Sequence, residues 1–214
     1  MADKDENLVD KLKEELASLE KEEEMLRKRD DQLKEEEEIL QKERGLGEDS
    51  NVVEADIQTI SSITLDAATT YLLLEETPKR SIELFLKEKK AGLSGLLITR
   101  SNPRKMRDKF DMEGVKICWL TGVRAGEKET TIAGLQELSI LVSNYVDKNS
   151  KSIVLLDGLE YLVSNNDFPI VLRLIQQIRD KVSTSESKMI IPLNPNALDG
   201  KQLTLLKREC QVIN

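Results

Sequence analysis

The chain has 214 residues, of which 34% are charged and 39% hydrophobic, and its formal net charge is −8. This length suits one packed domain plus a solvated segment rather than two full domains. The chain has no histidine and only two cysteines, which excludes Ser-His and Cys-His catalysis, histidine-containing zinc sites and a disulfide framework. With no apolar run of about eighteen residues and a charged amino terminus, we expect a cytoplasmic protein without a membrane span.

The negative charge is concentrated at the start of the chain. Residues 1–44 contain 17 Asp and Glu against 10 Lys and Arg, which leaves 23 against 22 in the remainder. An acidic segment repels phosphate backbones, so we expect any direct contact with nucleic acid to be local. Basic protein surfaces are the more natural partners of such a segment.

The acidic segment carries a heptad repeat. Residues 6–44 contain no Gly or Pro, and leucines recur every seven residues. If these leucines are d positions, Val9 and Leu16 are apolar a positions, whereas Glu23, Asp30 and Glu37 place acids at the later ones. The repeat predicts a dimerising coiled-coil helix with a seam of seven residues: Val9, Leu12, Leu16, Leu19, Leu26, Leu33 and Leu40.

The repeat does not decide whether the two helices run parallel or antiparallel, or whether the helix has a partner at all. An antiparallel pairing would separate the acidic a positions, which a parallel pairing would bring together. The alternative to a dimer is a solitary charged helix supported by pairs such as Glu24 with Lys28.

The composition divides the chain into three parts. The helix should end at Arg44, because Gly45 and Gly47 follow it and favour a helix terminus and a flexible connection. We therefore assign 1–46 to the acidic coiled-coil helix, 47–69 to a linker that is also a candidate dimerisation segment, and 70–214 to an α/β domain. The apolar residues between 52 and 65 follow no clean period, so this stretch packs either on the domain or on a second copy.

From residue 70 onward, apolar runs alternate with amphipathic stretches. This alternation predicts a mostly parallel sheet flanked by helices, with strands at about 70–75, 94–99, 115–120, 152–157 and 188–193. Helices are expected at about 78–91, 103–110, 130–147, 158–164, 168–183 and 197–208. Thr77 as the N-cap residue, with Pro78 at the first helical position, predicts the start of the first of these helices.

The loop after the first strand is where a nucleotide-binding protein places its phosphate loop. Such a loop needs glycines, whose backbone N–H groups can turn inward, and a lysine for the terminal phosphates. This chain has Glu75 and Glu76 instead, whose charges repel a triphosphate, and Pro78, which has no N–H. The sequence therefore predicts that no nucleotide cofactor binds here.

The fourth strand ends in an acid, as a Walker B strand does. Asp157 could hold a magnesium ion through water, and Glu160 could act as a base. Because the phosphate loop is missing, we favour the simpler interpretation that Asp157 caps the helix beginning near Leu159 and that Glu160 belongs to a polar network.

Five separated segments of this domain resemble, in the same order, an archaeal family of domains of unknown function, the DUF835 family. They read YLLLE from 71, GLLITR from 95, WLT from 119, LLDGLEYL from 155 and PLNP from 192. The family resembles the KaiC branch of RecA-like ATPases with the phosphate loop lost, so the resemblance implies a degenerate RecA-like domain. Its members are often attached to signalling domains, which implies a regulatory binding module without a specified ligand.

A second group of residues follows the second and third strands. A basic loop and helix start are candidate contacts for a partner or RNA: Arg100, Arg104, Lys105 and Arg107. The alternative is a solvated helix balanced by nearby acids. Trp119, at the end of the third strand, either stacks on a ligand or belongs to the core or an interface.

These observations predict a non-enzymatic, homodimeric adapter or regulatory factor without cofactor or metal. Two copies of one surface on a long spacer would bind and bridge copies of a partner, either a signalling complex or a ribonucleoprotein such as a ribosomal subunit. The alternative is an ATP-binding switch or weak ATPase with an atypical phosphate loop.

Overall fold

A computed structural model describes residues 63–122 and 130–213. The chain divides into two units, Met1–Ala55 and Asp56–Asn214, and all described residues belong to the second unit. The predicted coiled-coil helix, its leucine seam and the linker as far as residue 62 lie outside the described residues.

The described residues form seven strands and six α-helices. The strands are β1 (Thr69–Leu74), β2 (Ser94–Thr99), β3 (Lys116–Leu120), β4 (Thr130–Ile132), β5 (Ser152–Asp157), β6 (Lys188–Leu193) and β7 (Gln211–Ile213). The helices are α1 (Lys79–Lys90), α2 (Pro103–Lys109), α3 (Leu135–Lys148), α4 (Leu159–Asn165), α5 (Phe168–Ser183) and α6 (Gly200–Glu209), and a 3-10 turn covers Pro195–Ala197.

All seven strands belong to one sheet, in the order β4-β3-β2-β5-β6-β1-β7. Every neighbouring pair is parallel, so the predicted α/β class is confirmed. The five predicted strands lie within one residue of their expected bounds. This prediction came from continuous apolar runs in the sequence. Such runs are typical of parallel strands, because helices cover both faces of the sheet.

Two details of the predicted elements are wrong. The helix expected over 130–147 begins only at Leu135, because Thr130–Ile132 forms strand β4 and pairs with β3. Gln211–Ile213 adds strand β7 beside β1 at the other end of the sheet. Both strands have three residues, too few for a periodic pattern to distinguish them from the end of a helix.

The two faces of the sheet have separate cores. On one face, α1 and α2 bury Leu84, Phe85 and Met106 against the sheet. On the other, α3 to α6 pack through a larger set that includes Val142 and Leu174. The face of α5 that packs on this core contains five buried residues, Val171, Leu174, Ile175, Ile178 and Val182, and Phe168 at its start is half-buried.

The segment before β1 is held at the amino-terminal edge of the sheet. Leu65 is buried, and Ile63 packs on the core beneath α1. Lys87 Nζ donates to the Ile63 carbonyl at 2.7 Å. Lys188 Nζ donates to the Leu65 carbonyl at 2.6 Å and to Glu88 Oε2 at 2.8 Å. The chain therefore enters the domain on the face that carries α1.

The strand order places a topological switch between β2 and β5. From β2 the chain moves outward to β3 and β4, whereas from β5 it moves the other way to β6. Ligands of open parallel sheets bind beyond the carboxyl ends of the strands at such a point. The ends of β2 and β5 are therefore the first place to look for a site.

Candidate functional site

The loop between β1 and α1 is closed by its own glutamate. Glu75 Oε2 accepts a hydrogen bond from the backbone N–H of Arg80 at 3.0 Å, and Glu75 Oε1 accepts one from that of Ser81 at 3.2 Å. These N–H groups belong to the first turn of α1, which has no intrahelical acceptors for them. The carboxylate thus lies where a helix start following a strand would bind a phosphate.

The other two residues singled out in this loop, Glu76 and Pro78, lie beside Glu75 at the start of α1. Glu76 is exposed, and Pro78 is the N-cap residue of α1. The expected capping by Thr77 is wrong, because Glu75 bonds the N–H groups of the first turn instead. Burial raises the pKa of the Glu75 carboxyl, although the hydrogen bonds from Ser81 and Arg80 oppose that shift.

Asp157, at the end of β5, is bound to the neighbouring strand. Its Oδ2 accepts a hydrogen bond from Thr99 Oγ1 at 2.6 Å, and Thr99 is fully buried at the end of β2. Burial raises the pKa of the Asp157 carboxyl; the Thr99 hydrogen bond opposes the shift, and the charge of Glu160 adds to it. The predicted capping of α4 by Asp157 is wrong, since Gly158 is the N-cap residue and has no side chain to donate or accept. Asp157 instead joins two strands at the switch point.

Glu160 belongs to a polar network, as one of the two interpretations expected. Its Oε1 accepts a hydrogen bond from the backbone N–H of Asn194 at 2.9 Å. Asn194 follows β6, and its side chain caps the 3-10 turn that comes next. Glu160 therefore joins the start of α4 to the end of β6.

An arginine and two aromatic side chains meet at the same edge. The Arg100 guanidinium lies 3.9 Å from the centroid of the Tyr161 ring, within the range of a cation–π contact. Arg100 also donates through Nη1 to the Leu120 carbonyl. Trp119 Nε1 donates to the Arg100 carbonyl at 3.1 Å. We call Arg100, Trp119 and Tyr161 the switch-point cluster.

A glycine makes room for this cluster. Gly158 has φ +145, and a Cβ atom there would lie 2.9 Å from Leu120 Cδ2 and 3.1 Å from Arg100 Cγ. A side chain at this position would be strained and would push against Arg100. The turn from β5 into α4 therefore depends on glycine, because the side chains of Leu120 and Arg100 approach Gly158 closely.

The cluster is accessible and fixed in place. Arg100 is exposed, while Trp119 and Tyr161 are half-buried. The exposed basic residues of α2 continue from it: Arg104, Lys105 and Arg107. Helix α2 starts at Pro103 behind the Asn102 cap, whose side chain accepts from the Arg104 N–H. The structure thus brings Arg100 and Trp119 together, with the basic helix directly after β2.

Several contributors could not be identified from the chain alone. Tyr161, Thr99 and Leu120 join the site because β2 lies between β3 and β5. The sequence singled out Asp157 as an acid at the end of an apolar strand, but nothing in the sequence indicated that Thr99 is its hydrogen-bond partner.

Two absences concern only the described part of the chain. No group of three or more Cys, Asp or Glu residues that could hold a metal occurs within 63–122 and 130–213. Over the same residues, no helix is long and apolar enough to cross a membrane.

The solved structures to which this chain is similar include two proteins of Pyrococcus horikoshii. The KaiC-like protein PH0186 of this hyperthermophilic archaeon is 12% identical, with a TM-score of 0.49 over 65% of this chain and 70% of that chain. PH0250, from a structural project on the same organism, is 15% identical, with a TM-score of 0.49 over 68% of this chain and 80% of that chain. Among curated proteins, no relative matches.

The model of one protein family matches residues 74–210, and its description reads protein of unknown function (DUF835). This match spans the strands and helices from the end of β1 to α6. It includes the acids and the switch-point cluster described above. The chain belongs to the DUF835 family.

Proposed function

We propose that this protein is a non-enzymatic regulatory adapter that binds a macromolecular partner through the switch-point cluster. It acts without a nucleotide or metal cofactor. The proposal has three parts: the loop that would bind phosphate is occupied by Glu75, a nearby surface has the composition of a protein-binding site, and the amino-terminal heptad repeat joins two copies.

The hydrogen bonds of Glu75 support the first part, that the position of a bound phosphate is occupied. Its carboxylate accepts from the backbone N–H groups of Arg80 and Ser81 at 3.0 and 3.2 Å. A phosphate at this helix start would have to displace a negatively charged side chain and lose those bonds. Asp157 and Glu160 are likewise hydrogen-bonded within the chain, by Thr99 and Asn194.

The switch-point cluster supports the second part. Tryptophan, tyrosine and arginine are the side chains that contribute most often to binding energy in protein interfaces. Arg100 is held by Tyr161 and the Leu120 carbonyl, so little conformational freedom remains to be lost on binding. An ordered, exposed guanidinium suits a carboxylate or a carbonyl group of a partner protein.

Bridging is the third element of the proposal. The heptad leucines of residues 1–46 would hold two copies together and present two such clusters. The acidic arm favours a partner with basic proteins, such as a signalling complex or a ribonucleoprotein of the ribosomal-subunit type. RNA contact by Arg104, Lys105 and Arg107 would then be local.

Recovery of partners from the source cells tests this function. Tagged wild type, Trp119→Ala and Arg100→Ala would be compared by quantitative mass spectrometry, with Lys207→Ala on α6 as a matched surface control. A partner bound through the cluster should be recovered with wild type and the control but at least tenfold less with the two variants. Equal recovery with all four proteins contradicts binding at this surface.

The alternative function, an ATP-binding switch or weak ATPase, predicts a different result. Magnesium and ATP would raise the melting temperature of the wild type, and Asp157→Asn would remove that rise. The adapter predicts no change in either protein.

A further inference from the structure

A groove between α3 and α5 lies apart from the switch-point cluster. It encloses about 260 Å³ and is lined by residues of the first halves of both helices, among them Leu135, Leu174 and Arg173. Two isoleucines that also line it are unusually exposed: Ile140 by 53% and Ile170 by 54%. Within residues 63–122 and 130–213, these two are the large apolar side chains that are exposed.

We propose that this groove receives residues 51–62 of a second copy of the chain. Five of the twelve residues in this segment are apolar, and Val53, Ile57 and Ile60 recur at spacings of four and three residues, which places them on one face if the segment is helical. Three large apolar side chains on one face form a patch of the kind that contacts another surface. The exposed isoleucines of the groove offer a surface of the same kind.

The charges of the two surfaces are complementary. No Lys or Arg occurs between Arg44 and Lys79, whereas the segment contains Glu54 and Asp56. Arg173 is exposed beside the groove and forms no ion pair within residues 63–122 and 130–213. A carboxylate of the segment would give Arg173 a partner at the edge of an apolar contact.

The length of the connection excludes the chain's own Ile57 and Ile60. Ile63 packs beneath α1, on the face of the sheet opposite to α3 and α5. Helix layers on opposite faces of a sheet are about 20 Å apart. Ile60 is three residues from Ile63, and an extended chain covers at most about 3.4 Å per residue. Ile60 therefore stays within about 10 Å of Ile63 and cannot enter the groove of its own domain.

The position of the groove strengthens this exclusion. The strand-to-helix connections place the first halves of α3 and α5 towards the carboxyl ends of the strands. Ile63 is held at the amino-terminal edge by Lys87, in the last turn of α1. Even Ile57, six residues away, reaches only about 20 Å. Crossing from one helix layer to the other uses this whole reach, so Ile57 cannot also move from the amino-terminal edge of the sheet to the carboxyl edge. A second copy has no such limit.

Disulfide trapping in the full-length chain tests the proposal. Two differently tagged chains in a Cys210→Ser background, one with Ile57→Cys and one with Ile140→Cys, would be mixed and mildly oxidised. We expect a product that links position 57 of one chain to position 140 of the other. Ile57→Cys mixed with Lys105→Cys, on the opposite face of the sheet, is the matched control and should give at least tenfold less product.

Three other results overturn the proposal. A chain carrying both Ile57→Cys and Ile140→Cys that links mainly within itself would show that the segment occupies its own groove. Preferential linkage of Ile140→Cys to Ile140→Cys would indicate that two grooves face each other. Linkage no greater than in the control would mean that the groove does not take this segment.

Sedimentation supplies an independent readout that needs no cysteine. Ile140→Ser with Ile170→Ser should weaken the dimer on the order of tenfold, because two apolar side chains lose their cover. Ile57→Ser with Ile60→Ser should cause a loss of similar size. Combining all four changes should cost no more than either pair alone, since both pairs remove one contact. Full additivity contradicts the proposed pairing.

Discussion

At the scale of single residues, two acids at the carboxyl edge are held in unusual surroundings. Burial raises the pKa of both Glu75 and Asp157. A carboxyl with a raised pKa binds its proton more tightly in the folded protein than in the unfolded chain. Its stabilising effect is therefore complete at low pH and is lost as the pH rises from the unfolded pKa through the folded one.

Glu75→Gln should remove part of this pH dependence. We expect the free energy of unfolding of the wild type to fall relative to that of the variant as the pH rises from about 4 towards neutrality. Urea unfolding at several pH values measures the free energy of unfolding of both proteins. Glu76→Gln, at the exposed neighbouring residue, is the control. A variant whose profile runs parallel to that of the wild type would mean that Glu75 ionises as it does in the unfolded chain.

Gly158→Ala should destabilise the folded domain. The backbone has φ +145, and the added Cβ would lie 2.9 Å from Leu120 Cδ2, so we expect a loss of about 1–3 kcal/mol in the free energy of unfolding. Gly200→Ala, at the start of α6 with nothing within 4 Å, is the matched control and should be neutral or slightly stabilising. Chemical denaturation compares them, and equal effects would contradict the close approach at Gly158.

At the scale of elements, one buried ion pair joins α1, β6 and the segment before β1. The side chains of Lys188 and Glu88 are 13% and 9% exposed, and Nζ and Oε2 lie 2.8 Å apart. Lys188 also donates to the Leu65 carbonyl. Removing one member leaves the other charge buried without a partner.

Lys188→Met should therefore destabilise the domain by about 3–5 kcal/mol. The exposed pair of Lys151 and Glu186, whose side chains are 70% and 64% exposed, is the control: Lys151→Met should cost less than about 1 kcal/mol. Thermal and urea unfolding give both values. Similar small losses would show that the buried pair does not hold the entry segment.

The elements were largely predictable, and the departures have physical causes. Fully buried parallel strands such as β5 are long apolar runs, and α5 has a clear apolar face, so periodicity identified them. Strands β4 and β7 are three residues long and are defined by the neighbour that each one pairs with. Their existence depends on the sheet order, which local pattern does not contain.

The site was predictable only in part, for the same reason. The missing phosphate loop was evident from Glu75, Glu76 and Pro78. The capping role of Glu75 was missed because its N–H donors lie five and six residues later, beyond the usual N-cap spacing. The contact between Arg100 and Tyr161 needs β2 and β5 to be neighbours.

At the scale of the whole molecule, the α/β unit should fold without the acidic arm. Both cores described here are built from residues after 62. We expect a chain lacking residues 1–46 to keep its circular dichroism and cooperative unfolding, while light scattering reports a weaker dimer than for the full chain. A monomeric full chain at tens of micromolar would instead favour the solitary charged helix.

The arm's contact should be strongest near its start. Leu12, Leu16 and Leu19 are consecutive seam positions, whereas Leu33 and Leu40 alternate with acids. Leu16→Ala with Leu19→Ala should therefore weaken the dimer more than Leu33→Ala with Leu40→Ala, because more apolar surface is lost. Sedimentation gives both dissociation constants. A larger effect of the later pair would mean that those leucines pack on something other than the symmetric seam.

We propose that the carboxyl edge of this sheet binds no nucleotide, because the Glu75 carboxylate occupies the start of α1. Titration calorimetry of the full chain with magnesium and ATP tests it most directly, with Asp157→Ala measured in parallel. We expect no binding heat for either protein at millimolar ATP. Sub-millimolar binding by the wild type that is lost in Asp157→Ala would contradict it and establish the ATP-binding switch instead.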